Sequence, residues 1–500
     1  MAGLSVAACL IAAPPATAAV GWGINLDSSR GAAGTPPSLP YQSNPYFTEL
    51  LGGPSCAGAG ATRSVCYARI YVPWDAVNDG KGSLEARTCT SKPTGPGTSA
   101  NQFTAQLAAA ARAVGMSHVL VSLTSAPAGS PGDIWPTDSE YECGLSGLER
   151  AAPGVTEWQV FNEPDSAYFP DSTATGGSDC TRRNGVWVSG ANATYQCVLA
   201  TPAVKGAGGN GHGGGAQAAA YWYLDAKRVD PNPAHTLVAG GFNYSSSRCT
   251  PSTCYYLGGY FRALSRIYPP PPDAVALNPY LDVNYAALNG GDPLPPPASG
   301  LPSAQGAITA VDRFYPGGPP IWFTEVGVWL TDGGAEPVTR GCGDGNPLDN
   351  GTWRACLNAN PTAQALAAEG YLRLGTESPQ IDRIYYYDFD DQNPGWDSGL
   401  VNLSAPLSGP HDYGTPRTVW CVLHNFIQGE TPAQAAADAL RPGSQCDEQR
   451  PAHAAYAPIV DQAYLGDPVP GATPATPDAV ARDVVLTLAE RVRAIVATFQ

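Results

Sequence analysis

Two glutamates, Glu163 and Glu325, each stand where an apolar run stops. Glu163 closes Trp158-Gln159-Val160-Phe161-Asn162-Glu163-Pro164, and Glu325 closes Pro320-Ile321-Trp322-Phe323-Thr324-Glu325. Apolar runs of this length read as buried strands, and Pro164, with no N–H to give a ladder, ends the first of them. Two carboxyl groups carried at the ends of distant strands suit the cleavage of a glycosidic bond by double displacement. One serves as general acid/base and the other as nucleophile, provided they lie ~5–5.5 Å apart.

A fold must bring such a pair together. Strand-like runs recur at 20–25, 65–74, 118–123, 158–163, 236–242, 274–277, 320–325 and 381–389. Helical spacing fills several gaps, as at 216–229 and at 102–114, where Gly115 supplies a stop. Strands alternating with helices predict parallel β-α units, and eight of them predict an α/β fold of the (β/α)8 TIM-barrel type. The fourth and seventh strands of such a barrel face each other across the C-terminal mouth, so Glu163 and Glu325 would meet there. Alternation along 65–74 also puts Arg69 at a core position, where an arginine is unusual.

The chain has 500 residues, 43% hydrophobic and 14% charged, with a formal charge of −16. That size supports one large barrel, and that charge argues against nucleic acid and anionic membranes as partners. Residues 1–18 read as a signal peptide cleaved after Ala16-Thr17-Ala18, although its start carries no Lys or Arg. Removing Cys9 from the thirteen cysteines leaves twelve, an even number that fits export. Close neighbours predict disulfides Cys180–Cys197, Cys249–Cys254, Cys342–Cys356 and Cys421–Cys446; Cys56, Cys66, Cys89 and Cys143 share two more in an order left open. The catalytic barrel is expected over 19–429, interrupted by a low-complexity insertion at 166–215. An irregular extension and Pro/Ala/Thr linker follow at 430–475, then an amphipathic helix at 476–500 whose apolar stripe docks on the domain or, as the alternative, binds a partner.

With these motifs in order, residues 20–430 resemble the glycoside hydrolases of clan A, secreted (β/α)8 enzymes such as cellulases, mannanases and β-xylosidases. The resemblance implies Glu163 as acid/base, Asn162 as donor to the sugar 2-hydroxyl and Glu325 as nucleophile. It implies Arg69 as the arginine near the nucleophile and Tyr280, in Ala276-Leu277-Asn278-Pro279-Tyr280, as the tyrosine bonded to it. Asn278 stands where many clan members have histidine. Tyr385-Tyr386-Tyr387-Asp388 occupies the region after strand eight where many place a tryptophan.

Sugar rings have apolar faces, and Trp74, Trp329 and Trp396, each just beyond a strand, are candidate stacking platforms. Trp158 and Trp322 lie within strands and are expected in the core. Asp388, with Asp390 and Asp391, could contact substrate hydroxyls or a calcium ion; hydroxyl contacts are favoured. Scattered histidines and the lack of C-x2-C pairs give no zinc site. Gly206-Ala207-Gly208-Gly209-Asn210-Gly211 follows no strand and predicts no dinucleotide site. The expectation is an exported, monomeric retaining glycoside hydrolase acting on an oligo- or polysaccharide with no metal or organic cofactor. The alternatives are a transglycosylase on the same site and a catalytically silent glycan-binding barrel.

Overall fold

The computed structural model describes residues 20–26, 44–51, 63–74, 108–109, 111–113, 115–124, 136, 138–164, 215–243, 255–287, 289–293, 303–328, 361–389, 398–402 and 415–443. The signal peptide, nearly all of the 166–215 insertion, Trp329, Trp396, Asp390, Asp391, the 468–477 linker and the 476–500 helix lie outside the described residues. So does at least one member of each of the four proposed disulfides. Cys66, Cys143 and Cys421 are disulfide-bonded and carry no free thiol.

Eight parallel strands close on themselves: β1 (Gly21–Leu26), β2 (Val65–Pro73), β3 (His118–Thr124), β4 (Glu157–Gln159), β5 (Thr236–Phe242), β6 (Ala274–Leu277), β7 (Ile321–Val326) and β8 (Ile381–Tyr386). β1 pairs in parallel with both β2 and β8, which completes the ring. The eight expected runs are therefore the eight staves. A two-residue antiparallel pair, β9 (Val401–Asn402) with β10 (Thr415–Pro416), lies beyond them.

Period-2 alternation divides the strands into an inner and an outer face. Leu120, Val238, Ala274, Ala276, Trp322 and Tyr385 pack together inside the barrel with Tyr67 against them. Their chain neighbours, such as Val119, Val121, Phe323 and Ile384, belong to the larger apolar layer between strands and helices. Glycine on β1 makes room for the inner aromatics: a Cβ on Gly21 would stand 2.6 Å from the Tyr67 ring, and one on Gly23 would stand 2.5 Å from Tyr385. At the N-terminal end, Glu157 accepts from Arg383 at 2.5 Å and pairs with His118 at 2.9 Å. The Arg383 guanidinium lies 3.9 Å over Trp322 and 4.6 Å over Tyr67. This charged plug closes the bottom of the barrel, opposite the end where Glu163 and Glu325 sit.

Helices α1 (Pro45–Leu50), α2 (Asp138–Ala151), α3 (Gly215–Val229), α4 (Tyr255–Ile267), α5 (Tyr280–Ala286), α6 (Ala304–Asp312), α7 (Pro361–Glu377), α8 (Thr418–Ile427) and α9 (Pro432–Ala439) surround the strands. Residues 108–109 and 111–113 are helical, and this turn stops at Gly115 with φ 100°. There Gly115 N–H bonds Arg112 C=O and Met116 N–H bonds Ala111 C=O, each at 3.0 Å, the paired closure a left-handed C′ glycine permits. One expectation is corrected: 430–443 is not irregular. Thr431 and Gln434 form a reciprocal capping box, with Pro432 in the first turn, and start α9. α9 packs on α7 and α8, so it belongs to the barrel's outer layer.

Candidate active site

The C-terminal end of the barrel interior is polar, separated from the charged plug at the other end by the apolar layer of Leu120, Val238, Ala274, Ala276 and Trp322. The centre of the polar end is Arg69 on β2, wholly buried. Its Nε donates to Gln159 Oε1 at 2.9 Å, and its Nη2 donates to Ser122 Oγ at 3.0 Å and Asn162 Oδ1 at 2.7 Å. Its Nη1 faces Asn25 Oδ1 at 2.9 Å, the Thr324 carbonyl at 3.1 Å, Glu325 Oε1 at 2.9 Å and the Tyr71 hydroxyl. One planar fork thus ties β1, β2, β3, β4 and β7 at the level of the mouth. Arginine suits this position, because only a guanidinium presents five donors in a fixed plane.

Each glutamate sits beside a bulge. Between β7 and β8 the register runs Phe323↔Ile384 and then Val326↔Tyr386, one residue too many on β7. The Thr324 carbonyl, out of that ladder, accepts instead from Asn25 Nδ2 at 3.0 Å and from Arg69. Between β5 and β6 the register runs Ala239↔Val275 and then Phe242↔Leu277, again one extra residue. Gly240 is left-handed there, φ 66°, and the Gly241 carbonyl accepts the Glu163 N–H at 2.8 Å. Bulges of this kind re-aim side chains at strand ends.

Glu163 is held from both neighbouring strands. Asn162 N–H bonds Leu123 C=O at 2.7 Å on one side and Glu163 N–H bonds Gly241 on the other. Glu163 has φ 41°, the one non-glycine residue with positive φ among the described residues. A left-handed glutamate costs about 1–3 kcal/mol, and such strain concentrates at functional sites. Its Oε1 accepts from Asn278 Nδ2 at 2.9 Å. Glu325, 6% exposed, pairs with Arg69 and accepts from the Tyr280 hydroxyl at 3.2 Å. Burial, and then the charge of Glu325, push the Tyr280 phenol well above its ordinary range, so it stays a donor. Tyr71 is likewise pushed well up, by burial first; Arg69 opposes and Glu325 reinforces.

Of the residues named from the sequence, Glu163, Glu325, Asn162, Arg69, Tyr280 and Asn278 come together in one hydrogen-bonded group. Asn162 turns its Oδ1 to Arg69, which leaves its amide nitrogen as the group to meet a ligand. One other is corrected. Trp74, expected as a platform, is 1% exposed and lies in the layer between strands and helices. Its carbonyl would stand 2.4 Å from a Cβ on Gly144, so it packs against α2. Asp388, expected to meet substrate hydroxyls, is 2% exposed, and its carbonyl accepts from Leu400 N–H at 3.2 Å. Trp158 and Trp322 are in the core, 0% and 2% exposed. Missed from the sequence were Asn25, Tyr71, Ser122, Gln159 and Thr324. Their signal was available: each is a polar residue in or next to an apolar strand, and alternation puts Tyr71 and Arg69 on one face.

Tyr387, following β8, completes an aromatic side: its ring is 6.2 Å from Tyr71 and 6.3 Å from Tyr280, both nearly perpendicular. Among the described residues no group of three or more His, Cys, Asp or Glu side chains is placed to hold a metal ion.

No protein-family model and no curated protein matches the chain. Among solved structures, the catalytic core of xylanase A is similar at 16% identity and TM-score 0.42, over 85% of this chain and 99% of that one. The β-glycosidase of the hyperthermophile Thermosphaera aggregans is similar at 12% identity and TM-score 0.42, over 83% and 98%. A subgroup I endo-β-1,3-glucanase from Amycolatopsis mediterranei, in complex with laminarihexaose, is similar at 13% identity and TM-score 0.33, over 79% and 98%. Likeness at this level carries no argument about activity. The barrel rests on its own strand pairing.

Proposed function

We propose that the protein is an exported, monomeric retaining glycoside hydrolase that cleaves an oligo- or polysaccharide, with Glu325 as nucleophile and Glu163 as acid/base. The observation that carries this reading is the linkage of the two carboxyl groups. Asn278 bonds Glu163 and also the residue next to Glu325, while Arg69 bonds Asn162 and Glu325.

In the first half-reaction a Glu325 oxygen bonds the anomeric carbon as the glycosidic C–O bond breaks. The proton of Glu163 goes to the departing oxygen. The Arg69 ion pair and the Tyr280 hydroxyl aim the carboxylate and leave its outer face for the sugar. Asn162, fixed by Arg69, donates through its amide to the neighbouring hydroxyl, a bond that strengthens as the ring gains positive charge. In the second half-reaction Glu163 takes a proton from water, the oxygen bonds the anomeric carbon, and Glu325 leaves as carboxylate. A glycan-binding barrel without activity needs neither a strained Glu163 nor two buried groups, Arg69 and Tyr280, arranged on Glu325.

A panel of aryl glycosides and polysaccharides, with Glu325→Ala as the blank, tests the reading. One or more substrates should be cleaved, and Glu325→Ala and Glu163→Ala should each lower turnover by several orders of magnitude. Near-wild-type turnover in either variant, or a folded wild type that cleaves nothing, ends it. A sugar acceptor consumed in preference to water would mark a transglycosylase.

A further inference from the structure

Asn25 has no part in the scheme above, yet it is wholly buried at the end of β1, in register with Arg69 on β2. Its side chain reaches into the barrel interior and meets two other strands. Nδ2 donates to the Thr324 carbonyl on β7 at 3.0 Å and to the Tyr386 carbonyl on β8 at 3.2 Å. Oδ1 accepts from Arg69 Nη1 at 2.9 Å and from the Tyr71 hydroxyl at 3.1 Å. A main-chain carbonyl can only accept and a guanidinium can only donate, so a single orientation of the carboxamide satisfies these neighbours. Nitrogen must face the two carbonyls, and oxygen must face Arg69.

The Thr324 carbonyl belongs to the peptide that joins Thr324 to Glu325. The extra residue on β7 takes it out of the ladder with β8, and a carbonyl left in a dry interior needs a donor. Asn25 Nδ2 supplies one, and Arg69 Nη1 stands at 3.1 Å. Because the same Nδ2 also bonds the last carbonyl of β8, it takes the place of the missing rung between the two strands. We propose that Asn25 is a positioning residue for the nucleophile: its amide nitrogen holds the 324–325 peptide turned into the barrel and so sets the direction in which the Glu325 carboxylate leaves the strand. This rests on Glu325 being the nucleophile. Arg69 cannot do the same alone, because Nη1 carries two protons and faces four acceptors: Asn25 Oδ1, the Tyr71 hydroxyl, the Thr324 carbonyl and Glu325 Oε1. Without Asn25 Nδ2, the Thr324 carbonyl competes with Glu325 for those protons.

Glu325 must bond the anomeric carbon whatever the leaving group, so a misdirected carboxylate slows every substrate alike. Loss of acid catalysis, by contrast, spares leaving groups that depart unaided. Asn25→Leu keeps the size and removes all four hydrogen bonds of the amide. Asn25→Asp keeps the oxygen that faces Arg69 and sets a second oxygen against the two carbonyls, which can meet one of them at most, and only when protonated. Using the glycone found by the panel, kcat/KM is measured for a dinitrophenyl glycoside and for an alkyl glycoside. Inactivation by the matching 2-deoxy-2-fluoro glycoside is resolved into initial affinity and rate of bond formation; this inhibitor has no 2-hydroxyl, so its rate does not report on Asn162. Asn25→Leu should lose about tenfold to a hundredfold on both substrates, the scale of a misplaced reacting group. The inactivation rate should fall by a like factor with initial affinity unchanged, and Asn25→Asp should restore neither. A loss confined to the alkyl glycoside, a loss of affinity in place of rate, wild-type rates in Asn25→Asp, or no loss at all overturns the inference. Should Asn25→Leu fail to fold, Asn25→Ala must show the same pattern or the inference falls; if neither folds, Asn25 serves the fold and the inference falls too. If Glu325→Ala is inactive while Asn25→Leu behaves as wild type, the inference alone fails, whereas activity kept in Glu325→Ala ends the reading of the site itself.

Discussion

Arg69 Nη1 lies 2.9 Å from Glu325 Oε1, and no solvent reaches the guanidinium. Burial opposes the charge of Arg69, but Tyr71 and Glu325 outweigh it and hold the group firmly protonated. Lysine has three donors on one nitrogen and cannot reach Gln159, Ser122, Asn162 and Glu325 together. Arg69→Lys is therefore expected to lower kcat/KM at least ~100-fold while keeping a charge, since positioning errors of this kind cost that much. Arg69→Met should also lower stability by about 3–5 kcal/mol, by leaving Glu325 unpaired. Urea titration and initial rates check both, and an unaltered kcat/KM in Arg69→Lys contradicts the role given to the fork.

Gly241 is confined by the site itself. A Cβ there would stand 2.0 Å from Gln159 Nε2 and 2.9 Å from Asn162 Oδ1. Gly241→Ala should destabilise the fold by about 1–3 kcal/mol through overpacking, and should lower kcat by displacing Asn162 and the carbonyl that holds Glu163. Gly258 in α4 is the contrast, with nothing within 4 Å of its added Cβ. Gly258→Ala should stabilise by about 0.5–1 kcal/mol as a helical glycine replaced. Thermal melts of the two variants moving the same way would contradict this.

Trp74 packs against α2 and does not meet the sugar. Trp74→Ala should cost about 3–5 kcal/mol of stability. The milder Trp74→Phe should lower the urea midpoint and leave KM where it was. A raised KM with unchanged stability would restore Trp74 as a platform.

The outer wall carries a seam that weakens as the pH rises. The carboxyl group of Asp225 on α3 neighbours that of Asp138 on α2, and that of Glu149 on α2 neighbours that of Asp230 just beyond α3. Burial first, and then the neighbouring acid, push Asp225 and Glu149 up to about 7. Unfolded carboxyl groups titrate near ~4, so between those values the folded chain holds protons that the unfolded chain has lost. The stability from these pairs is present at pH below ~4 and fades as pH climbs toward 7. Glu157 runs the other way: burial raises it, but His118 and Arg383 prevail and hold it below its usual range. Its contribution is lost only in stronger acid. The melting temperature should fall from pH 5 to pH 8, and Asp225→Asn with Glu149→Gln should flatten that slope. A melting temperature that rises over the interval contradicts the seam.

The barrel was legible because eight apolar runs, each short enough to be a strand, alternate with helical spacing. Glu163 and Glu325 were legible because a carboxylate at the end of such a run is out of place in a core. Hydropathy could not show the bulges beside Gly240 and Thr324, since one extra residue in a ladder leaves the apolar pattern intact. Nor could it show that Trp74 turns outward to α2, because a tryptophan beyond a strand reads alike whether it meets a helix or a sugar. Thr324 was hidden by its ordinariness: threonine is common in strands, and only the Asn278 amide opposite gives its hydroxyl a partner. The start of α9 was signalled by Thr431-Pro432-Ala433-Gln434, a cap that strand-directed reading passes over.

Trapping the covalent intermediate tests the pairing of Glu325 with Glu163 most directly. A 2-deoxy-2-fluoro glycoside with a good leaving group, made on the sugar found by the panel, should add one glycosyl unit to the intact protein. Peptide mapping should place that unit on Glu325, with Glu163 unlabelled. Labelling at another residue, or hydrolysis that inverts the anomeric centre and forms no adduct, would contradict the double displacement.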